Sequence, residues 1–144
     1  MIGPYLDTSA LAKRYLNEPG SEAFERFLLD RRRAAISRLT TVEFRCLLAR
    51  RRRAGDLTPN IEAAAFRLFL DDIAGGYLQV HPLADDHARE AMALIERLDT
   101  HSLRTLDALH LAAASAIGAE TLATADRIMA RAAADLGFDV EMFG

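Results

Sequence analysis

Short apolar runs alternate with longer segments of helical periodicity along most of the chain. Apolar runs bounded by turn residues predict strands, and apolar residues three and four positions apart predict helices. Strands are predicted at residues 2–6, 34–37, 77–81, 121–124 and 139–143, the last at an edge of the sheet. Strands that alternate with helices favour an α/β protein with three layers, α/β/α, around a central, mainly parallel sheet of about five short strands.

The segments between the strands predict seven helices. They span residues 9–17, 21 to about 33, 40 or 41 to 54, 58–74, 84–99, 105 to about 117, and 127–136. The residues of the fifth helix that are predicted to face inward are Ala88, Ala91, Met92, Ile95 and Leu98. No linker, repeat or low-complexity segment divides the sequence, so residues 1–144 are predicted to form one domain.

Composition narrows the class of protein and its compartment. Hydrophobic residues make up 51% and charged residues 27%, a balance typical of globular chains. The single cysteine, Cys46, excludes an internal disulfide and favours a reducing compartment. It lies in an apolar stretch of a helix and is predicted to be a buried structural thiol. No apolar run approaches the ~20 residues that span a bilayer, and the first residues do not resemble a signal peptide. We therefore expect a cytoplasmic protein.

Arginine is concentrated in one segment of a chain whose net charge is −3. Residues 31–53 carry nine arginines and one acid, Glu43, a local charge of +8, whereas the rest of the chain carries −11. Basic segments attract phosphates whatever the total charge. The alternative is structural, since arginines 50–53 would also suit the C-terminus of a helix. We prefer the phosphate interpretation, because an acid without a local partner stands inside the basic segment.

Four acids follow apolar runs or lie in the first turns of predicted helices: Asp7, Glu43, Asp107 and Asp126. Each has an ordinary structural explanation. Asp7 and Asp126 suit the N-caps of the helices that follow them. Glu43 follows Thr40 by three residues, as in a capping box, and Asp107 in a first helical turn suits the helix dipole.

Together, the four acids favour a shared site. In a parallel α/β sheet the carboxyl ends of the strands and the starts of the following helices share one edge, where ligands bind. Two carboxylates about 4 Å apart repel by roughly 4 kcal/mol at an effective dielectric near 20. Four at one edge therefore require a cation, and oxygen ligands suit one or two Mg²⁺ or Mn²⁺ ions. The sequence predicts a metal-dependent hydrolytic site.

Several other residues are candidates for supporting roles. Ser9 and Thr124, each two residues from a strand-end aspartate, are predicted to hold metal-bound water or to be turn residues. His110 follows Asp107 by about one helical turn and is a candidate for the edge of the site, although packing is the preferred role. Arg104 is a candidate phosphate contact, with an exposed surface charge as the preferred alternative.

Two other classes of phosphate chemistry suit the sequence less well. A phosphatase of the haloacid dehalogenase type also begins with a strand-end aspartate, but it needs a second acid two residues later. This chain has Ser9 at that position. A phosphoacceptor receiver domain pairs its aspartate with a lysine late in the chain, whereas the only lysine here is Lys13.

The residues around the four acids resemble one known family over essentially the whole chain. The motifs are YLDTSALAKRYLNEPGSE at the start, TTVEF around Glu43, LRTLDALHLAAA around Asp107 and LATADRIMARAA around Asp126. Their order and spacing resemble those of PIN-domain ribonucleases of the VapC toxin type. The resemblance implies that Asp7, Glu43, Asp107 and Asp126 bind metal and catalyse endonucleolytic cleavage of RNA. It also implies a toxin that is neutralised by a small cognate antitoxin, and a homodimer.

Further expectations about partners follow from this resemblance. An antitoxin tail carrying an arginine would enter the acidic site, because guanidinium pairs with carboxylates through two hydrogen bonds. Apolar residues of the first two helices would supply the groove for this tail, with a place in the core as the alternative. Candidates for guiding the RNA are Arg38, Arg45, Arg50 and Arg104. A PIN-like module that binds RNA or a partner protein without cutting remains the alternative.

Overall fold

The computed structural model describes residues 2–144 and contains, within them, five strands and seven helices. The strands are β1 (Tyr5–Leu6), β2 (Ala34–Ser37), β3 (Leu78–His81), β4 (Thr121–Thr124) and β5 (Asp139–Met142). The helices are α1 (Thr8–Tyr15), α2 (Ser21–Arg31), α3 (Arg38–Arg53), α4 (Pro59–Ala74), α5 (Asp85–Arg97), α6 (Thr105–Ala116) and α7 (Arg127–Asp135). None of these helices is long and apolar enough to cross a membrane.

All five strands are parallel and lie in the order β3-β2-β1-β4-β5. In the central strand β1, Tyr5 pairs with Ala35 of β2 on one side and with Leu122 of β4 on the other. The predicted parallel sheet and the edge position of β5 are confirmed. β1 is shorter than predicted, and Pro4 just before it has no N–H to donate to a neighbouring strand.

Two apolar cores cover the two faces of the sheet. On one face, Phe44 of α3 and Phe69 of α4 pack with residues of α1, α2 and the strands, and their ring centroids are 4.9 Å apart. On the other face, Tyr5 and Leu122 of the sheet pack against α5, α6 and α7. Successive strand residues point to opposite faces, so Tyr5 enters one core and Leu6 enters the other. The three predicted layers are confirmed.

The start of α3 differs from the prediction. The helix begins at Arg38 rather than at Thr40 or Thr41, and Ser37 is its N-cap. The Ser37 backbone N–H donates to the Thr40 hydroxyl at 3.3 Å, so Thr40 is the third residue of the helix and belongs to the capping box. The capping box predicted for Thr40 and Glu43 is therefore wrong. Glu43 lies in the second turn, where the helix terminus makes no use of its carboxylate.

Cys46 is exposed, so the prediction of a buried thiol is wrong. The buried stripe of α3 consists of Thr40, Phe44, Leu47 and Leu48. These residues recur three and four positions apart, as the core-facing stripe of an amphipathic helix does. Position 46 lies off this stripe. Its apolar neighbours in the sequence therefore do not share its face of the helix.

The buried face of α5 is rotated from the predicted one. It consists of His87, Ala91, Leu94 and Leu98. Met92 and Ile95, which were predicted to face inward, are 66% and 41% exposed, and Ala88 is exposed too. Apolar residues occur on two adjacent stripes of this helix, so the periodicity predicts the helix without deciding which stripe packs.

Candidate active site

The strand order reverses between β1 and β4, which places a ligand-binding crevice beyond the carboxyl ends of these strands. A cavity of about 330 Å³ is formed by residues that follow β1 and β4 and by side chains of α3 and α6. We call it the acid pocket; its polar lining includes Asp7, Glu43, Asp107, Asp126, Arg50, Arg104, Cys46 and His110. The structure thus brings together all four candidate acids.

Asp7 is the most enclosed of these acids, at 4% exposure. Its Oδ1 accepts from the Ser9 hydroxyl at 2.7 Å and from the Ala10 N–H at 2.9 Å, and the second bond caps α1. Its Oδ2 accepts from the Thr124 hydroxyl at 2.5 Å. The Ser9 oxygen also accepts from the Ala125 N–H at 2.8 Å. Ser9 and Thr124 therefore fix Asp7 directly and join it to the end of β4.

Asp107 and Asp126 each occupy a helix start and the pocket at once. Asp126 caps α7, because its Oδ1 accepts from the N–H groups of Ile128 at 2.8 Å and Met129 at 3.1 Å. Its Oδ2 lies 3.6 Å from Nη2 of Arg104. Asp107 is the third residue of α6, and its Oδ2 accepts from the Arg104 backbone N–H at 3.4 Å. The capping and ligand interpretations of these acids therefore do not exclude each other.

Glu43 is held through one of its two oxygens. Its Oε1 accepts from the Thr8 hydroxyl at 2.9 Å and from Nε2 of His110 through a short hydrogen bond. His110 is 3% exposed, as the packing interpretation predicted, and it also lines the pocket. Its Nδ1 lies 2.7 Å from the Tyr5 hydroxyl, which is 3.0 Å from the Ser37 hydroxyl. The sequence analysis missed Thr8 and Tyr5, because partners so far apart along the chain form no local pattern.

Burial and neighbouring groups shift the pKa values of three of the acids in different directions. Burial raises the pKa of Asp7 despite the hydrogen bonds that its carboxylate accepts. Burial also raises the pKa of Asp107, and the nearby carboxylate of Asp126 adds to the increase. Burial alone would raise the pKa of Glu43, but the hydrogen bond from His110 helps to hold it below the usual glutamate value. Positive charge in the pocket would stabilise the ionised forms of Asp7 and Asp107.

The donor set of the acid pocket fits a hard divalent cation. Its four carboxylates offer only oxygen, which Mg²⁺ and Mn²⁺ prefer. Within residues 2–144, no three His, Cys, Asp or Glu side chains form a closed group at metal-binding spacing. Magnesium usually keeps several of its waters and takes only one or two carboxylates directly. The pocket therefore suits a hydrated ion rather than one that protein encloses on every side.

The four candidate RNA-binding arginines occupy different positions. Arg50 and Arg104 line the acid pocket, whereas Arg38 and Arg45 line a neighbouring groove between α3 and α4. Three arginines of the basic segment pair with acids from other parts of the chain: Arg45 and Arg52 with Glu62, and Arg51 with Glu18. The positive charge of residues 31–53 is therefore partly neutralised in the folded protein.

A more apolar groove lies between α2, α4 and the start of β3. It encloses about 380 Å³, and Leu28, Leu29, Tyr77 and Leu78 contribute to its walls. Leu29 and Tyr77 are 76% and 62% exposed. The apolar side chains of α1 are instead buried in the core. Of the two helices predicted to supply an apolar groove, α2 therefore contributes Leu28 and Leu29 to this one.

Comparison with known proteins identifies the family. The family model of the PIN domain matches residues 5–135. The chain belongs to the PIN-domain family. Ribonuclease VapC46 of Mycobacterium tuberculosis is 33% identical over 147 residues, which cover 97% of each chain. The resemblance of the four motifs to PIN-domain proteins of the VapC type is thereby confirmed.

Solved structures share the fold of this PIN-domain chain. VapC20 of Mycobacterium tuberculosis, a toxin that cleaves the sarcin–ricin loop, aligns with a TM-score of 0.70 at 20% identity, covering 93% of this chain and 95% of that chain. DNA-bound VapBC of Salmonella typhimurium aligns with a TM-score of 0.71 at 22% identity over the full length of both chains. VapBC2 of Rickettsia felis, bound to a DNA fragment from its promoter, gives 0.70 at 16% identity, also over both full lengths.

Proposed function

We propose that this PIN-domain protein is a divalent-metal-dependent endoribonuclease whose active site is the acid pocket. The observation that carries the proposal is the gathering of Asp7, Glu43, Asp107 and Asp126 around one cavity where the strand order reverses. The similarity to ribonuclease VapC46 along nearly the whole chain supports RNA as the substrate.

The four acids would hold one or two Mg²⁺ or Mn²⁺ ions. Asp7 is suited to the central position, because donors fix both of its oxygens and prevent the carboxylate from turning away. Asp126 uses Oδ1 for the helix cap and leaves Oδ2 for the pocket. When bound, such an ion supplies Lewis-acid stabilisation of phosphate charge and an activated water. The protein's own contribution is to hold Glu43 and Asp107 on the other walls of the same cavity.

The arginines of the pocket wall would bind the RNA backbone. Nε of Arg104 lies 3.8 Å from Oδ2 of Asp107, and its Nη2 lies 3.6 Å from Oδ2 of Asp126. The Arg104 side chain is 76% exposed. Exposed ion pairs contribute only about 0–1 kcal/mol, so the guanidinium can exchange these carboxylates for a phosphate oxygen at little cost. Arg50 stands on the α3 side of the pocket. The two arginines could thus hold phosphates on both sides of the bond that is cut.

The same proposal makes the protein a toxin of the cytoplasm that a small antitoxin neutralises. The solved VapBC complexes, which have this fold, support such a partner. The contacts of Arg104 with two pocket carboxylates support an antitoxin arginine as the inhibitory group. The proposal includes a homodimer, for which exposed Met92 and Ile95 of α5 offer apolar surface. Expression should arrest growth, and co-expression of the cognate antitoxin should restore it.

RNA cleavage by the purified protein tests the enzymatic proposal. Asp7→Asn keeps the shape of the side chain and removes its charge, and it should abolish cleavage in Mg²⁺ or Mn²⁺. Asp139→Asn is the matched control. Asp139 is exposed and lies at the amino end of β5, whereas the acid pocket lies beyond the carboxyl ends of the strands. Undiminished cutting by Asp7→Asn, or by the wild type in excess EDTA, would overturn the mechanism. Binding of RNA by the wild type without any cutting would favour a binding module instead.

A further inference from the structure

A buried hydrogen-bond chain connects the interior of the sheet to the acid pocket. It runs from the Ser37 hydroxyl through the Tyr5 hydroxyl and the His110 ring to Oε1 of Glu43. Ser37 and Tyr5 are fully buried, and His110 is 3% exposed. The chain therefore joins four elements, β2, β1, α6 and α3, and its last member is one of the four acids of the pocket.

The chemistry of these groups fixes the direction of the bond to Glu43. An ionised carboxylate only accepts hydrogen bonds, so Nε2 of His110 must carry a hydrogen. The Tyr5 hydroxyl donates its only hydrogen to the Ser37 hydroxyl, so toward His110 the tyrosine oxygen accepts a hydrogen bond from Nδ1. Tyr5 thereby holds the ring with its Nε2–H directed at Glu43.

Both donors to Glu43 converge on the same oxygen. The Thr8 hydroxyl at 2.9 Å and the His110 ring each bind Oε1, and no protein donor within residues 2–144 binds Oε2. We propose that His110, held by Tyr5, is a positioning residue that fixes Glu43 so that Oε2 alone is presented to the metal and the reacting phosphate. This inference rests on the proposed nuclease function and assigns the glutamate a single-oxygen role in it.

Replacement of Tyr5 separates positioning from packing. Tyr5→Phe removes one hydroxyl, keeps the ring, and removes the hydrogen bond to Nδ1 that orients His110. Groups that orient a metal ligand typically change metal affinity or activity by 10–100-fold when they are lost. We therefore expect Tyr5→Phe to weaken Mn²⁺ binding and lower kcat by about 10-fold or more, with little change in KM for RNA. The control is Tyr15→Phe, which removes a hydroxyl bonded to Asp72 at 2.6 Å, outside the pocket lining.

Two replacements of His110 distinguish positioning from packing, because each explanation predicts a different ranking of the two variants. The side-chain amide of His110→Gln can still donate a hydrogen bond to Glu43, whereas His110→Leu fills the same apolar surroundings without a donor. Packing alone predicts that Leu is at least as good as Gln in thermal stability, in Mn²⁺ affinity and in cleavage. Positioning predicts that Gln keeps more Mn²⁺ affinity and more activity than Leu even where Leu is the more stable protein.

Mn²⁺ affinity is measured by electron paramagnetic resonance, and kcat and KM by RNA cleavage, on the same preparations. Loss of affinity and kcat in Tyr5→Phe and His110→Leu, with Tyr15→Phe unchanged in both, supports the inference. Wild-type affinity and kcat in both variants would overturn it while the nuclease proposal stands. A wild-type protein that cuts RNA in EDTA and binds no Mn²⁺ would overturn both.

Discussion

In Asp7, one carboxylate both caps a helix and forms the most enclosed wall of the acid pocket. Oδ1 accepts from the Ala10 N–H at the start of α1, and Oδ2 accepts from the Thr124 hydroxyl at the end of β4. The cost of burying this charge exceeds what the hydrogen bonds return, because the pKa of Asp7 remains above its usual value. The residue is therefore held in a state that a cation would stabilise.

This raised pKa predicts how stability depends on pH in the metal-free protein. An acid whose pKa is higher in the folded state stabilises the fold below its unfolded pKa and loses that contribution as pH rises through the folded pKa. In EDTA, Asp7→Asn should therefore gain stability relative to the wild type as pH rises through that range. Thermal unfolding of both proteins across roughly pH 3–8, a range that spans the pKa values of carboxyl groups, measures the difference. A difference that is constant or shrinks with rising pH contradicts the assignment.

Three of the four acids of the pocket lie at the N-termini of helices. α1 and α7 begin directly after Asp7 and Asp126, and Asp107 lies in the first turn of α6. The N-terminal N–H groups of these helices favour negative charge near them. Glu43 differs, because it projects from the second turn of α3. The pattern of the sequence predicted the bounds of β2 and β4 correctly. The start of α3 was predicted incorrectly, because it depends on Ser37, which is both the last residue of β2 and the N-cap of the helix.

Two substitutions separate the capping role of Asp126 in α7 from its proposed role as a metal ligand. Asp126→Asn keeps a capping oxygen for α7 and removes the charge, so it should preserve stability and weaken Mn²⁺ binding. Asp126→Ala should also lose about 1 kcal/mol of unfolding free energy, because the cap is gone. Thr58→Ala removes the cap of α4, where the hydroxyl accepts from the Ile61 N–H at 3.2 Å, and provides the control. It should lose similar stability with unchanged Mn²⁺ affinity.

Urea unfolding and Mn²⁺ titration of these three variants give the two readouts. If Asp126→Asn binds Mn²⁺ as the wild type does, the side chain is only a cap. If Thr58→Ala also loses Mn²⁺ affinity, the effect of Asp126 reflects general destabilisation rather than a lost ligand.

Across the whole molecule, acids from other parts of the chain pair with some of the arginines that the sequence concentrates in residues 31–53. Glu62, which is 8% exposed, binds Arg45 at 3.1 Å and Arg52 at 2.7 Å. Arg50 instead lines the acid pocket. A count of charges along the chain predicted a basic segment but not which arginines remain available for RNA.

Charge reversal should therefore act differently at two arginines of the same helix. Arg50→Glu should weaken RNA binding, and more at low salt than at high salt, because phosphate contacts release counterions. Arg45→Glu should affect RNA affinity less and should lower the unfolding temperature, since it places a second acid against buried Glu62. RNA affinity across a salt series and thermal unfolding test both. Equal salt-dependent losses of affinity would contradict the pairing of Arg45.

The four acids of the pocket could be found from the sequence, because each lies at a strand end or in a recognisable motif. The link from Glu43 through His110 to Tyr5 could not. Its members come from α3, α6 and β1, and only the packing of those elements brings them together. Cys46 shows the converse, since its apolar neighbours in the sequence lie on another face of α3.

If the acid pocket is the nuclease site, RNA cleavage requires a divalent ion held by its carboxylates. This requirement is tested most directly by measuring bound Mn²⁺ and the rate of RNA cleavage in the same samples over one Mn²⁺ titration. Binding and cleavage should rise together in the wild type and in Asp139→Asn, and both should be lost in Asp7→Asn. Cleavage by Asp7→Asn, or cleavage by the wild type before any Mn²⁺ is bound, would contradict this requirement.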